Sequence, residues 1–162
     1  EAVPMISLET YIAASREDCF AMSLSVDAHT SSMGRSRERA VSGVTRGELG
    51  TGESVTWRAT HFGIPWRMTS VITEYARPHR FVDQQSSGPF ARWWHEHRFD
   101  VCDGGTLMHD VIDFAAPLGV LGRIADRRIL KRYVTGLITD RNAWLKRELE
   151  RPDRPRNRGA AS

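Results

Sequence analysis

Phe90-Ala91-Arg92-Trp93-Trp94-His95-Glu96-His97-Arg98-Phe99-Asp100-Val101 runs into Asp103-Gly104-Gly105 and is answered by Thr106-Leu107-Met108-His109-Asp110-Val111-Ile112-Asp113-Phe114. Both runs are rich in aromatic and β-branched residues, and the Asp-Gly pair between them is a hairpin signal. Side chains alternate across a strand, so residues two apart share a face. In the first run Ala91, Trp93, His95, His97, Phe99 and Val101 lie on one side. Arg92, Trp94, Glu96, Arg98 and Asp100 lie on the other, which is mostly charged and reads as solvent-facing. Trp93, His95 and His97 are therefore expected to point inward. In the second run Met108, Asp110, Ile112 and Phe114 go together, while His109 and Asp113 point outward. The hairpin thus predicts a sheet that buries polar, ionisable groups.

Working upstream, further strand candidates recur at short intervals, each closed by a turn signal: Arg39 to Arg46, Glu53 to Phe62, Trp66 to Tyr75, and Arg80 to Gln85. With the hairpin they make six consecutive strands, and short links between neighbours demand an antiparallel meander rather than a βαβ layout. Met5 to Ile12 reads as a first strand. Ser15 then caps a helix from Arg16 to about Leu24, with Asp18 three residues on. Val26 to Gly34 holds few apolar residues and reads as a surface loop or a broken second helix.

Downstream of Pro117 the period changes. Leu121, Ile124, Ala125, Leu130, Tyr133, Val134, Leu137, Ile138, Trp144, Leu145 and Leu149 recur at helical spacing, with charged residues largely between them. Gly136 interrupts this helix at a cost in stability, and close approach of a neighbour is the expected reason. The predicted class is α+β: about seven strands in a curved antiparallel sheet around a long C-terminal helix, with two short helices after the first strand. One helix cannot cover the concave face of a strongly twisted sheet of that size, so side chains, water or a ligand must fill the remainder. Residues 1–150 are expected to form the single domain, and 151–162 a disordered basic tail.

Composition bounds the function. The 162 residues are 40% hydrophobic and 27% charged, ordinary values for a globular chain. No apolar run approaches the roughly 20 residues a spanning helix needs, and no leader pattern is present, so a cytoplasmic protein without stable membrane insertion is expected. Two cysteines, Cys19 and Cys102, are too few for a disulfide framework or a zinc knuckle. The net charge is +3, but residues from Arg123 onward carry 12 Lys/Arg against 5 Asp/Glu, a net of +7, and the first 122 residues carry 11 against 15, a net of −4. Basicity confined to one helix and its tail reads as a solvated face, not as a nucleic-acid footprint. A monomer or homodimer is expected. No phosphate-binding glycine loop and no nucleophile elbow occurs, so no cofactor is assigned.

The order of elements resembles the helix-grip superfamily, also called SRPBCC, which includes START lipid-transfer domains, birch-pollen-allergen proteins and bacterial polyketide cyclases. The residues that carry the resemblance are Thr56-Trp57-Arg58-Ala59-Thr60-His61-Phe62-Gly63, Arg80-Phe81-Val82-Asp83-Gln84-Gln85 leading to Gly88-Pro89-Phe90, Trp93 to Phe99, Gly105-Thr106-Leu107-Met108 with Asp110, and Ala116-Pro117-Leu118-Gly119. They are most similar to the bacterial polyketide cyclase/dehydrase-like branch. The resemblance implies a pocket between sheet and terminal helix that takes a hydrophobic small molecule such as a lipid, isoprenoid or aromatic polyketide. It leaves chemistry open, with cyclase or dehydratase activity using a pocket histidine as the alternative.

Alternation and helical spacing together nominate Trp57, His61, Met68, Ser70, Phe81, Gln85, Trp93, His95, His97, Met108, Asp110, Tyr133 and Leu137 as ligand-binding residues. His97, His95 and Asp110 are the candidates for proton transfer, with the carboxylate orienting an imidazole across the hairpin. The same residues can instead simply hydrogen-bond one another inside an apolar barrel. His95-x-His97 could also share a metal with Asp110 or His61, but a pair without a further ligand motif assigns none.

Overall fold

A computed structural model describes residues 5–117 and 127–154. Strand β1 (Met5–Ile12) is followed by helices α1 (Arg16–Leu24) and α2 (Val26–Ser32). Six strands then run in sequence: β2 (Arg39–Gly43), β3 (Ser54–His61), β4 (Ile64–Ala76), β5 (Arg80–Ser87), β6 (Phe90–Cys102) and β7 (Gly105–Pro117). Helix α3 (Arg127–Leu149) closes the chain's order of elements. The strands form one antiparallel sheet in the order β1-β7-β6-β5-β4-β3-β2. This is the helix-grip architecture expected from the pattern.

Local sequence explains the joints. The Ser15 hydroxyl accepts from the Asp18 amide at 3.2 Å, so the predicted cap of α1 forms. Ser25 does the same for α2 through the Ala28 amide at 3.1 Å, which turns the polar stretch after Val26 into a helix rather than a loop. Asp103 and Gly104 both adopt positive φ, the conformation a two-residue hairpin between right-twisted strands requires. Register shifts between Thr69 and Ser70 and between Ile72 and Glu74 interrupt the β4–β5 ladder. Such bulges bend the strand and help curl the sheet around α3.

Three apolar clusters lie between sheet and helices among the described residues, and the smallest joins Val26 of α2 to Val55 and Trp57 of β3. One gathers Phe20, Phe81, Phe99 and Met108 with Leu145 and Leu149 of α3. Another gathers Ile6, Ile112 and Phe114 with Leu130, Val134 and Ile138 of the same helix. Burying each such side chain contributes about 1.5–3 kcal/mol. Arg141 and Asn142 are also buried, and they fall on α3 between the residues it gives to the two larger clusters. The end of α3 is pinned to β1, where Lys146 Nζ donates to the Tyr11 carbonyl at 2.7 Å.

Three expectations are corrected here. A Cβ at Gly136 would meet nothing within 4 Å among the described residues, so no close neighbour accounts for that glycine. Val101, assigned to the inward face, is 69% exposed because it lies at the hairpin end beyond the core. Ala91, near the opposite end of β6, is exposed as well. The expected helical positions Leu121, Ile124 and Ala125, Leu118-Gly119, and most of the expected tail fall outside the described residues.

Candidate functional site

A cavity opens between α3, the first two helices and the concave face of the sheet. Trp57, Met68, Ser70, Phe81 and Trp93 line it from the sheet, as alternation predicts. Tyr133 and Leu137 line it from α3, and His61 stands at the β3–β4 turn. At that turn His61 Nδ1 and the Tyr133 hydroxyl are 2.8 Å apart, while the Phe62 ring packs tilted against Tyr133 with centroids 4.4 Å apart. Burial lowers the pKa of His61 and raises that of Tyr133, which favours a neutral pair. A second polar pair, His29 with Glu38, lies in the wall where the His29 ring packs tilted against Trp57 with centroids 4.2 Å apart.

His95 and His97 sit at the polar end of the cavity, with ring centroids 3.8 Å apart. The sheet register sets a carboxylate on each side of the histidine pair, and the hydrogen bonds cross it diagonally. His97 lies opposite Asp110 on β7, and His95 lies opposite Asp83 on β5. His95 Nε2 is 2.8 Å from Asp110 Oδ1, and His97 Nε2 is 3.0 Å from Asp83 Oδ2. His97 Nδ1 approaches Asp110 Oδ1 to 3.1 Å but has no aligned hydrogen-bond partner, although it is buried. His97 also stacks on Phe81 at 4.2 Å. From α3, Asn142 Nδ2 donates to Asp110 Oδ2 at 2.7 Å, and Arg141 stands 3.8 Å from Asp110 Oδ1. The guanidinium also donates to the Asn142 side-chain oxygen and to the Ser23 carbonyl.

The charges are arranged to balance. Burial opposes ionisation of His97, but Asp110 and Asp83 on either side overcome it and hold its pKa above the ordinary value. Burial, reinforced by the neighbouring His97, pushes His95 the other way. Burial raises the cost of both carboxylates, yet the paired imidazoles hold Asp83 low and Asp110 well below the usual range. With His97 protonated, two carboxylates face one imidazolium and one guanidinium, and the cluster is neutral. A buried group of four charges is stable only when it is so paired.

Three nominated residues do not reach the cavity wall. Met108 is fully buried in the apolar cluster, its sulfur 3.7 Å from the Ser23 hydroxyl. Asp110 is fully buried behind the histidines, and its hydrogen-bonded imidazole is that of His95 rather than His97. Gln85 instead braces the β5–β6 turn, donating to the Phe90 carbonyl at 2.8 Å and accepting from the Phe90 amide at 3.2 Å. Sequence reasoning missed Asp83 and Arg141, which do line the cavity, and the Asn142 that supports Asp110. Asp83 shares a strand face with Phe81, and Arg141 lies three residues after Ile138 and four before Leu145, on the buried stripe of α3. Both signals were present in the spacing.

Among the described residues no helix is long and apolar enough to cross a membrane. A family model described as polyketide cyclase / dehydrase and lipid transport matches residues 10–150. No curated protein matches the chain at a significant level. Solved structures share the fold at low identity. The Zhui aromatase/cyclase from Streptomyces sp. R1128 superposes with a TM-score of 0.75 at 17% identity, covering 94% of this chain and 97% of its own. A START superfamily protein from Mycobacterium smegmatis gives 0.69 at 13%, covering 90% and 97%. The di-domain ARO/CYC StfQ from the steffimycin biosynthetic pathway gives 0.71 at 13%, with 91% of this chain and 51% of that one covered.

Proposed function

The chain belongs to the polyketide cyclase / dehydrase and lipid transport family, and on that premise we propose that it binds a hydrophobic small molecule between the sheet and α3. The candidates are a lipid, an isoprenoid or an aromatic polyketide. The observation that carries this reading is a cavity walled by Trp57, Met68, Phe81 and Trp93 whose polar end presents His95, His97 and Asp83. Apolar burial supplies affinity at about 25 cal/mol per Å² of area removed from water. The imidazoles and the carboxylate orient a polar group of the ligand, because a buried polar atom without a partner is costly. Titration with an environment-sensitive fluorescent fatty acid tests it. Saturable binding at one site, abolished by Leu137→Arg in the cavity wall, is expected. Failure of that probe and of other apolar dyes to bind at all would overturn it.

A second reading is favoured by one specific feature, the placement of His97 between two carboxylates with His95 beside it on the cavity wall. In that reading the chain is a cyclase or dehydratase of a poly-ketone chain. The cavity folds the substrate and the histidine pair moves a proton at its carbonyl-flanked carbon. The Zhui and StfQ likenesses support the fold of such an enzyme, not its substrate. His97→Ala and Asp110→Asn should each abolish turnover, and turnover untouched by both removes this mechanism.

A further inference from the structure

His95 donates Nε2–H to Asp110, so in its neutral form the lone-pair nitrogen is Nδ1. That atom lies 3.7 Å from Asp83 Oδ2, itself an acceptor. The same carboxylate oxygen is 3.0 Å from His97 Nε2. One donor atom from each of Asp83, His95 and His97 lies within 4.8 Å of the others. Two acceptors facing each other with no proton of their own to share call for a positive charge between them.

We propose that Asp83, His95 and His97 form a site for one divalent first-row transition-metal ion at the polar end of the cavity, with at least one coordination position open to the cavity. Tetrahedral ligands at roughly 2.0–2.1 Å from a metal stand about 3.3 Å apart. The 3.0 and 3.7 Å separations from Asp83 Oδ2 bracket that spacing, and the two imidazole nitrogens close on the same point from within 4.8 Å of each other. The set of two imidazoles and one carboxylate suits zinc, iron or cobalt rather than magnesium or calcium. Asp110 stands behind both rings, at 2.8 Å from His95 Nε2 and 3.1 Å from His97 Nδ1. That is the outer-shell carboxylate that orients ligating histidines, and Asn142 holds it in turn. The otherwise unaligned His97 Nδ1 gains a role as the N–H facing Asp110 once Nε2 is committed to the metal.

The charge balance extends the inference. A divalent ion beside the carboxylates of Asp83 and Asp110 and the guanidinium of Arg141 leaves the group with one positive charge in excess. The open position therefore favours an anionic oxygen ligand, a hydroxide or the enolate or carboxylate end of a cavity-bound molecule. The metal site does not rest on the identity of the hydrophobic ligand and stands or falls by separate measurements.

The test uses the full chain freed of metal by chelator and then titrated with Zn²⁺ by calorimetry and with Co²⁺ by visible absorption. One equivalent of Zn²⁺ should bind, and Co²⁺ should give ligand-field bands of a site with fewer than six ligands. Asp83→Asn is nearly isosteric at a partly exposed position and should weaken binding by more than the roughly 10–100-fold expected of the outer-shell change Asp110→Asn. His109→Gln, which removes the surface imidazole between Glu9 and Asp100, should leave binding unchanged. In the unsubstituted protein, the Cu²⁺ EPR spectrum should carry coupling to two imidazole nitrogens, a readout independent of whether any variant folds. Absence of stoichiometric binding, a spectrum with one or no imidazole, or binding lost with His109→Gln and kept in Asp83→Asn would overturn the proposal.

Discussion

Replacing Asp110 by Asn removes one negative charge from the cluster while keeping the shape of the side chain. Asp110 is fully buried and accepts from His95 at 2.8 Å and from Asn142 at 2.7 Å, with His97 and Arg141 close by. An asparagine there can accept on one side only, so its amide N–H₂ must face a donor. Facing Asn142, it drives that amide to flip, and the flip withdraws the oxygen that Arg141 holds at 3.2 Å. Facing His95, it forces a tautomer change that leaves the His95 proton on Nδ1. Either way one charge-assisted hydrogen bond is lost, at about 1.5–3 kcal/mol. The cluster is also left with an uncompensated positive charge, and breaking a buried pair costs about 3–5 kcal/mol when one partner vanishes altogether. The isosteric amide retains part of that, so a net loss of about 3 kcal/mol is expected, or roughly 6–12 °C in Tm for a chain of this size. The assay is urea unfolding in chelator, followed through tryptophan emission, with an unchanged m-value. Adding Arg141→Met to Asp110→Asn restores charge balance and should recover at least about 0.5 kcal/mol relative to additivity. A loss below about 1 kcal/mol for Asp110→Asn, with no coupling to Arg141, would refute this electrostatic account.

Gly136→Ala should stabilise the protein by about 0.5–1 kcal/mol, because the new methyl meets nothing within 4 Å among the described residues and glycine is a poor helix former; a lower Tm would show that the glycine has a packing role. Burial pushes the Cys19 thiol up to about 11, and its side chain is fully enclosed. Ellman's reagent at pH 8 should therefore titrate Cys102 alone in the native protein and both thiols in denaturant; two fast-reacting thiols in the native state would contradict the packing around α1.

Most of the architecture was legible because it is written in period. The two-residue alternation of β6 and β7 marks which side chains enter the core, and the stripe from Leu130 to Leu149 marks the face of α3. Alternation fails toward strand ends, where Val101 turns to solvent and Gln85 follows local hydrogen bonding at the β5–β6 turn. The site was legible in part. His95 and His97 follow from alternation alone; alternation also puts Asp83 on the face of Phe81, and the β5–β6 register is what sets it against the imidazoles. Arg141 was hidden by its type: among so many arginines on α3 it reads as surface, and only its place on the apolar stripe betrays it. His29 and Glu38 meet through the cap at Ser25 that makes a helix of a polar segment.

Native mass spectrometry of freshly purified protein tests the central claim most directly. The account predicts a second series of peaks, displaced by the mass of one apolar organic molecule and lost on denaturation, that Leu137→Arg abolishes. A single bare-chain series from every preparation, with no uptake of added fatty acids or aromatic polyketides, would contradict it.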